Sequence, residues 1–313
     1  MPQNKALSTA EVADILHVSK STIYDLIRKG EINSYKIGRK VRFTQDDVDA
    51  YIARSRHEQS TQPVRQVFVQ SSLLCGEPDT APNFIISGQD VVLDILSNYL
   101  RHYGVVALRA YVGSFESILS LYQGKVQVAT AHLWDSDTDE YNRAYVRRLM
   151  PGVPAVLVNI SYRMQGFYVK KGNPKNIRGW EDLGREDIRL INRRKGSGSR
   201  ILLDEHLYRL GVPGSAVNGY DSELNSHLTV AAAVANGEAD FGLGTERVSR
   251  QMDGLEFVPL QKERYDFVIK KEVISDPQIQ AMLKVIGSPE YFHEISQFSG
   301  NDFRDLGKIV AEV

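Results

Sequence analysis

Cysteine is nearly absent. Cys75 stands alone among 313 residues, which excludes an internal disulfide and any zinc site built on cysteine ligands. Neither sign of charge prevails: 38 Lys and Arg face 39 Asp and Glu, a formal net charge of -1, so no overall field draws the chain toward nucleic acid or membrane. Any such attraction must be local. No apolar run approaches the ~20 residues needed to span a bilayer, and no leader with a basic start and apolar core is visible, so the expected compartment is the cytoplasm. What is present is an ordinary soluble composition, 42% hydrophobic and 25% charged, long enough for one small core and one large one.

The small core falls at the start. Ser8 followed three positions later by Glu11 is a capping box, and Val12, Ile15 and Leu16 recur at helical spacing, so a short helix is expected from Thr9. Val18 and Ser19 break that pattern. Ser19 caps a second helix whose Ile23, Leu26 and Ile27 form an apolar face ending at Gly30. Two short helices across a tight turn make a helix-turn-helix. Lys20, Ser21, Thr22, Tyr24 and Arg28 lie off the second helix's apolar face, where a recognition helix meets base edges and phosphates.

Tyr35 to Phe43 reads as a two-stranded wing turning at Gly38. Lys36, Arg39, Lys40 and Arg42 crowd its tip and edges, a cluster suited to phosphate neutralisation. Thr44 with Asp47 opens a third helix that brings Val48, Tyr51 and Ile52 back onto the first two. Over about the first 55 residues this order of elements resembles the excisionase-type, MerR-like winged helix family, and the resemblance implies a double-stranded DNA operator as partner. Acidic residues such as Asp14, Asp25, Asp46 and Asp49 nearly balance the basic ones, so affinity per head should be modest. That favours a homodimer or higher homo-oligomer on paired half-sites.

The division expected from composition is a DNA-binding head at 1–56, a polar linker at 57–66 and a large domain at 67–313. In the large domain, strands and helices alternate, which argues for α/β architecture with parallel sheets flanked by helices. Strands are expected at Asn83 to Ser87, Val105 to Val112, Val126 to Ala129, Asp187 to Asn192 and Ala239 to Leu243. Helices are expected at Asp90 to Tyr103, Phe115 to Gln123, Ile201 to Leu210 and Leu228 to Asn236. Two extended segments, Val156 to Lys170 and Glu256 to Lys270, can join two lobes as a two-strand hinge. Lobe 1 then comprises about 67–160 and 266–313, and lobe 2 about 161–265. Segment 64–82 has no assigned role.

The stretches TAHLWDSDTDEYN, VNISYRMQGFYVKKGNPKNIRGWEDL and INRRKGSGSR resemble the type 2 periplasmic-binding-protein-like domain found fused to helix-turn-helix heads and molybdenum-cofactor proteins. More distantly, they resemble the exported tungstate and molybdate receptors. The resemblance implies a small-anion effector such as molybdate or tungstate, and no cofactor. In open α/β sheets, ligands sit at the carboxyl ends of strands, where helix starts offer free N–H groups. Candidate ligand contacts are therefore Ser87 and Gly88, Ser114, Thr130 and His132, the loop Ser197, Gly198 and Ser199 with Arg200, and Thr245. Arg193 and Lys195 are expected to face solvent. Asp135, Asp137, Asp139 and Glu140 lack the ligand spacing and glycine of a calcium loop and read as a solvated helix start.

A cleft that binds ligand between two lobes and a head that binds DNA together imply a ligand-responsive transcriptional regulator. Two other readings stay open. An enzyme on a binding-protein fold would need an orienting carboxylate beside His132, with Ser197 as nucleophile. An architectural, excisionase-like DNA-binding protein would use the large domain only to oligomerise.

Overall fold

In the computed structural model, residues 7–16, 18–28, 32–37, 40–45, 47–48, 51 and 84–313 are described, the side chains of Lys36 and Ile37 excepted. The expected linker, segment 64–82, Cys75 and the wing residues Gly38 and Arg39 lie outside these residues. The chain divides into two compact units, Met1–Pro78 and Asp79–Val313.

In the first unit, local chemistry sets the helix starts. Ser8 and Glu11 close the expected capping box ahead of the helix Thr9–Ile15, and the Ser19 hydroxyl accepts the Thr22 N–H at 3.2 Å ahead of the helix Lys20–Arg28. Thr44 and Asp47 bond reciprocally in the same way, with Asp47 N–H on Thr44 Oγ1 at 3.2 Å and Thr44 N–H on Asp47 Oδ2 at 2.9 Å. Strands Tyr35–Ile37 and Lys40–Phe43 pair antiparallel, and Leu7–Ser8 adds a third strand on the far side of Lys40–Phe43. That third strand carries too little pattern to be read from two residues. Leu7, Val12, Ala13, Ile23, Leu26, Ile32, Phe43 and Val48 form the core. Ile15, expected on the apolar face, is 40% exposed.

The second unit is built on two sixteen-residue strands, Ala155–Lys170 and Leu255–Lys270, which pair antiparallel along their length. Each strand contributes to the cores of both lobes. Val156, Val158 and Ile160 pack with Phe267 and Ile269 in one lobe, while Phe167 and Val169 pack with Phe241 and Leu243 in the other. Register shifts between Pro259 and Gln261 and between Tyr265 and Asp266 interrupt the pairing, and bulges bend strands at such points.

In lobe 1, Phe84–Ser87 and Ala107–Ala110 run parallel, and Ala129–Ala131 pairs with the long strand at Asp266 to Val268. Helices Val91–Arg101, Pro277–Ile286 and Pro289–Ser296 contribute to one core, and Ser114–Tyr122 and Arg143–Leu149 to another, so the C-terminal helices do return to lobe 1. Lobe 2 holds the strand Phe241–Thr245 with helices Gly198–Leu210 and His227–Ala235.

The expected strand Asp187 to Asn192 is reduced to a bridge at Leu190 and a short strand Asn192–Arg193 paired with Glu223–Leu224. The acidic run at 135–140 is no helix start. Trp134–Asp135 and Glu140–Tyr141 form a tight hairpin in which buried Asp135 accepts from Thr138 N–H at 3.0 Å and Arg148 at 2.8 Å.

Candidate functional site

Four helices of nine or more residues begin around one cleft of about 460 Å³. Val91–Arg101 and Ser114–Tyr122 come from lobe 1, and Gly198–Leu210 and His227–Ala235 from lobe 2. Each helix start carries unsatisfied N–H groups and roughly half a positive charge, so their convergence makes the cleft attractive to anions. In the Gly198–Leu210 helix the first backbone bond runs from Ile201 N–H to Ser197 O, which leaves the Gly198 and Ser199 N–H groups ahead of it.

The lobes touch across this cleft. Phe115 N–H donates to Gly196 O at 3.2 Å, Arg193 Nη2 donates to Gln89 Oε1 at 3.1 Å, and Arg247 stands 3.7 Å from Asp90. A side chain at Gly198 would lie 2.3 Å from the His132 ring, so glycine is required by this approach alone.

Of the residues expected from sequence, Gly88, Ser114, Thr130, His132, Ser197, Gly198, Ser199 and Thr245 line the cleft together. Ser87 and Arg200 do not. Ser87 is fully buried at its strand end, its hydroxyl 2.5 Å from that of Ser117. Arg200 turns away with the helix: its guanidinium bonds Asp204 at 3.1 Å and Glu223 at 2.8 Å, and lies 4.1 Å from the Tyr220 ring centre. Those two carboxylates balance its charge, although its Nη2 has no hydrogen-bond partner among the described residues.

Besides Arg163 and Arg247, which stand beside Asp90, the cleft holds Arg193, which was expected in solvent. It is 3% exposed, and among the described residues its Nε and Nη1 have no hydrogen-bond partner. Burial lowers its pKa to about 10, the sign of a charge held in a poorly solvated place without a carboxylate. Nearby His227 is pushed well below the usual histidine range by burial and by the Arg193 charge, and its Nδ1 is also unpartnered. Lys195 does face solvent.

A second charged group underlies the cleft and is internally balanced. Arg163 contacts Asp90 at 2.6 Å and Glu263 at 2.5 Å, and Glu263 meets His132 Nδ1 at 2.8 Å and Gln165 Nε2 at 2.7 Å. Burial would raise the Glu263 pKa, but Arg163 and His132 outweigh it and hold it at about 2. Arg163 also lies 4.2 Å from the centre of the Tyr265 ring, whose hydroxyl is 2.8 Å from that of Thr130. Sequence reasoning missed this group because Arg163 and Glu263 are cross-strand neighbours 100 residues apart, and only the register joins them. The available signal was polar residues at every second position, Arg163 with Gln165 and Glu263 with Tyr265, in the two long extended segments.

Two cleft hydroxyls keep a hydrogen to donate. Ser114 Oγ accepts the His132 N–H and Ser197 Oγ accepts the Arg200 N–H, both at 3.3 Å, so each keeps its own hydrogen for a ligand. Both cleft carboxylates are committed to cations.

In the head, the expected contact residues Lys20, Ser21, Tyr24, Arg28 and Lys40 are exposed, Tyr24 by 55%, and Thr22 and Arg42 are half-buried. Ser21 and Thr22 share hydrogen bonds with Ser19 at 2.6 and 2.8 Å, and Arg28 pairs with Asp25 on the surface. Lys36 lies in the first wing strand.

Residues 97–287 match the family described as PBP superfamily domain. The chain belongs to that family. Residues 6–56 match the family described as helix-turn-helix domain, so this PBP-superfamily chain has a DNA-binding domain and a ligand-binding domain of two-lobed type. It is 40% identical to the uncharacterized protein YvgK of Bacillus subtilis, over all 313 residues of both. Over 88 residues it is 38% identical to the thiosulfate-binding protein of Escherichia coli, 26% of this chain and 25% of that one. Among solved structures, a substrate-binding protein of Clostridium perfringens with bound phosphate superposes with a TM-score of 0.53 at 15% identity, covering 71% of this chain and 99% of that one. That likeness bears on the fold. No helix among the described residues is long and apolar enough to cross a membrane.

Proposed function

We propose that this chain is a cytoplasmic, homo-oligomeric transcriptional regulator whose cleft binds a small anion and whose head answers by changing its hold on DNA. The observation that carries the anion reading is Arg193, a buried cation with unsatisfied donors where four helix starts converge. Gly88, Ser114, Thr130, His132, Ser197, Gly198, Ser199 and Thr245 complete the ligand contacts, and the two long strands carry the change from the cleft. Ligand contacts that differ between open and closed lobes shift that equilibrium, and a coupling of ~1 to 3 kcal/mol changes operator affinity ~5- to 150-fold.

Molybdate and tungstate are the first anions to test, on the strength of the sequence resemblance. Calorimetry on the full chain should show binding of at least one, lost in Arg193→Met. A Kd weaker than ~1 mM for both, or ~4 kcal/mol, removes them as effectors. The chain is not an enzyme on this reading. Glu263 does stand beside His132, but it is bound to Arg163 and Gln165 as well, and the Ser197 hydroxyl that would have to be activated caps its own helix by accepting the Arg200 N–H.

A further inference from the structure

The cleft is larger than a bare tetrahedral oxyanion needs, although its lobes already meet. At about 30 Å³ per water its volume of about 460 Å³ holds roughly fifteen waters, whereas a tetrahedral oxyanion has five non-hydrogen atoms. Further closure is restricted on the Gly113 side, where a Cβ atom would come within 2.7 Å of Gly196 O. The volume falls in the range of about 300 to 1,000 Å³ that suits organic ligands.

The lining away from Arg193 is also that of an organic site. Tyr111 is 61% exposed and Leu228 53% exposed on its walls, with Val112 and Val248 beside them. Asn301, which pairs with Arg163 across the sheet, lines the cleft with both side-chain amide atoms buried and without partners among the described residues. An amide left with donor and acceptor both unused is costly unless a ligand or water answers it. A bare oxyanion seated on Arg193 offers only acceptors.

Resting on the anion reading, we propose that the effector is an organic phosphate monoester: its phosphate sits on Arg193 and the Gly198–Leu210 helix start, and a polar organic body reaches Asn301. The donor arrangement favours this head group. A monoester has a second pKa near ~6, so above neutrality it presents three acceptor oxygens and no proton, while inorganic phosphate keeps one. Ser114, Ser197 and Arg193 all donate, and Asp90 and Glu263 are already committed to cations, so a proton on the anion finds no carboxylate to receive it.

The test is calorimetry on the full chain at pH 8 with inorganic phosphate, molybdate, tungstate, glycerol 3-phosphate, ribose 5-phosphate and a nucleoside 5′-monophosphate. At least one monoester should bind ten-fold or more tightly than every inorganic anion. Asn301→Ala should bring the ratio of monoester to inorganic affinity toward one, and Arg193→Met should weaken all anions together. Gln251→Ala, at an exposed position on the cleft wall, is a second variant that should narrow the same ratio if Asn301→Ala fails to fold. Inorganic anions binding as tightly as every monoester overturn the monoester proposal and leave the anion reading intact. Absence of binding by any anion, or binding indifferent to Arg193, overturns both.

Discussion

The head and the cleft both set cations toward anions, and they do so by opposite physics. In the head, Lys20, Arg28 and Lys40 stand in solvent, where each charge is screened and worth little alone; Arg28 is even paired with Asp25. Such charges act by number and placement on a polyanion, with release of its counterions. In the cleft, the Arg193 guanidinium is buried, incompletely bonded and without a carboxylate, while buried Arg163 holds the neighbouring Asp90 and Glu263. On the proposed reading, a single charge desolvated in advance dominates recognition there. Salt should therefore distinguish the two regions sharply.

The largest break in this comparison comes from Arg193. Arg193→Met should cost about 2 to 4 kcal/mol of anion binding, roughly 30- to 1,000-fold by calorimetry, while DNA affinity in ligand-free buffer stays near that of the parent. Next is the supporting charge group. Glu263→Gln leaves Arg163 and His132 without their shared carboxylate and should destabilise the chain by about 3 kcal/mol or more in chemical denaturation. The folded Glu263 pKa is depressed, so its contribution is complete above the unfolded value near ~4.3 and lost as pH falls through about 2. Acid titration of thermal stability should show that loss in the parent and a smaller one in the variant.

A smaller effect separates the two regions by ionic strength. Lys40→Ala and Arg42→Ala should each weaken binding to all DNA sequences several-fold and flatten its salt dependence by about one ion. Anion binding should change much less over the same salt range; equal salt slopes in head and cleft would contradict the contrast drawn above. The smallest effect is on pH. Arg193 is charged below a pKa of about 10, and a bound anion stabilises that charge, so affinity should be flat from neutrality to pH 9 and fall above 10.

Legibility from sequence followed the same division. The head's caps at Ser8, Ser19 and Thr44 were readable because donor and acceptor lie three residues apart. The α/β order and the two long strands were readable from periodicity, and so was the gathering of glycine and serine loops at strand ends. Side-chain direction was not. Arg200 and Arg193 are seven residues apart and chemically identical, yet Asp204, Glu223 and Tyr220 occupy the first while the second faces a cleft. Asp204, one helical turn past Arg200, is a local signal for its pairing, but the contact with Glu223 depends on the register of Asn192–Arg193 with Glu223–Leu224. Ser87 shows the same limit at the end of a strand, where alternation turned its hydroxyl inward to Ser117.

The central claim is that filling the cleft changes the hold on DNA. The direct measurement selects DNA fragments with the purified full chain, then titrates the chosen fragment with and without the tightest anion from the calorimetric panel. An affinity change of ~5-fold or more that disappears in Arg193→Met is the predicted result. Identical DNA affinity with the cleft empty and saturated would contradict it.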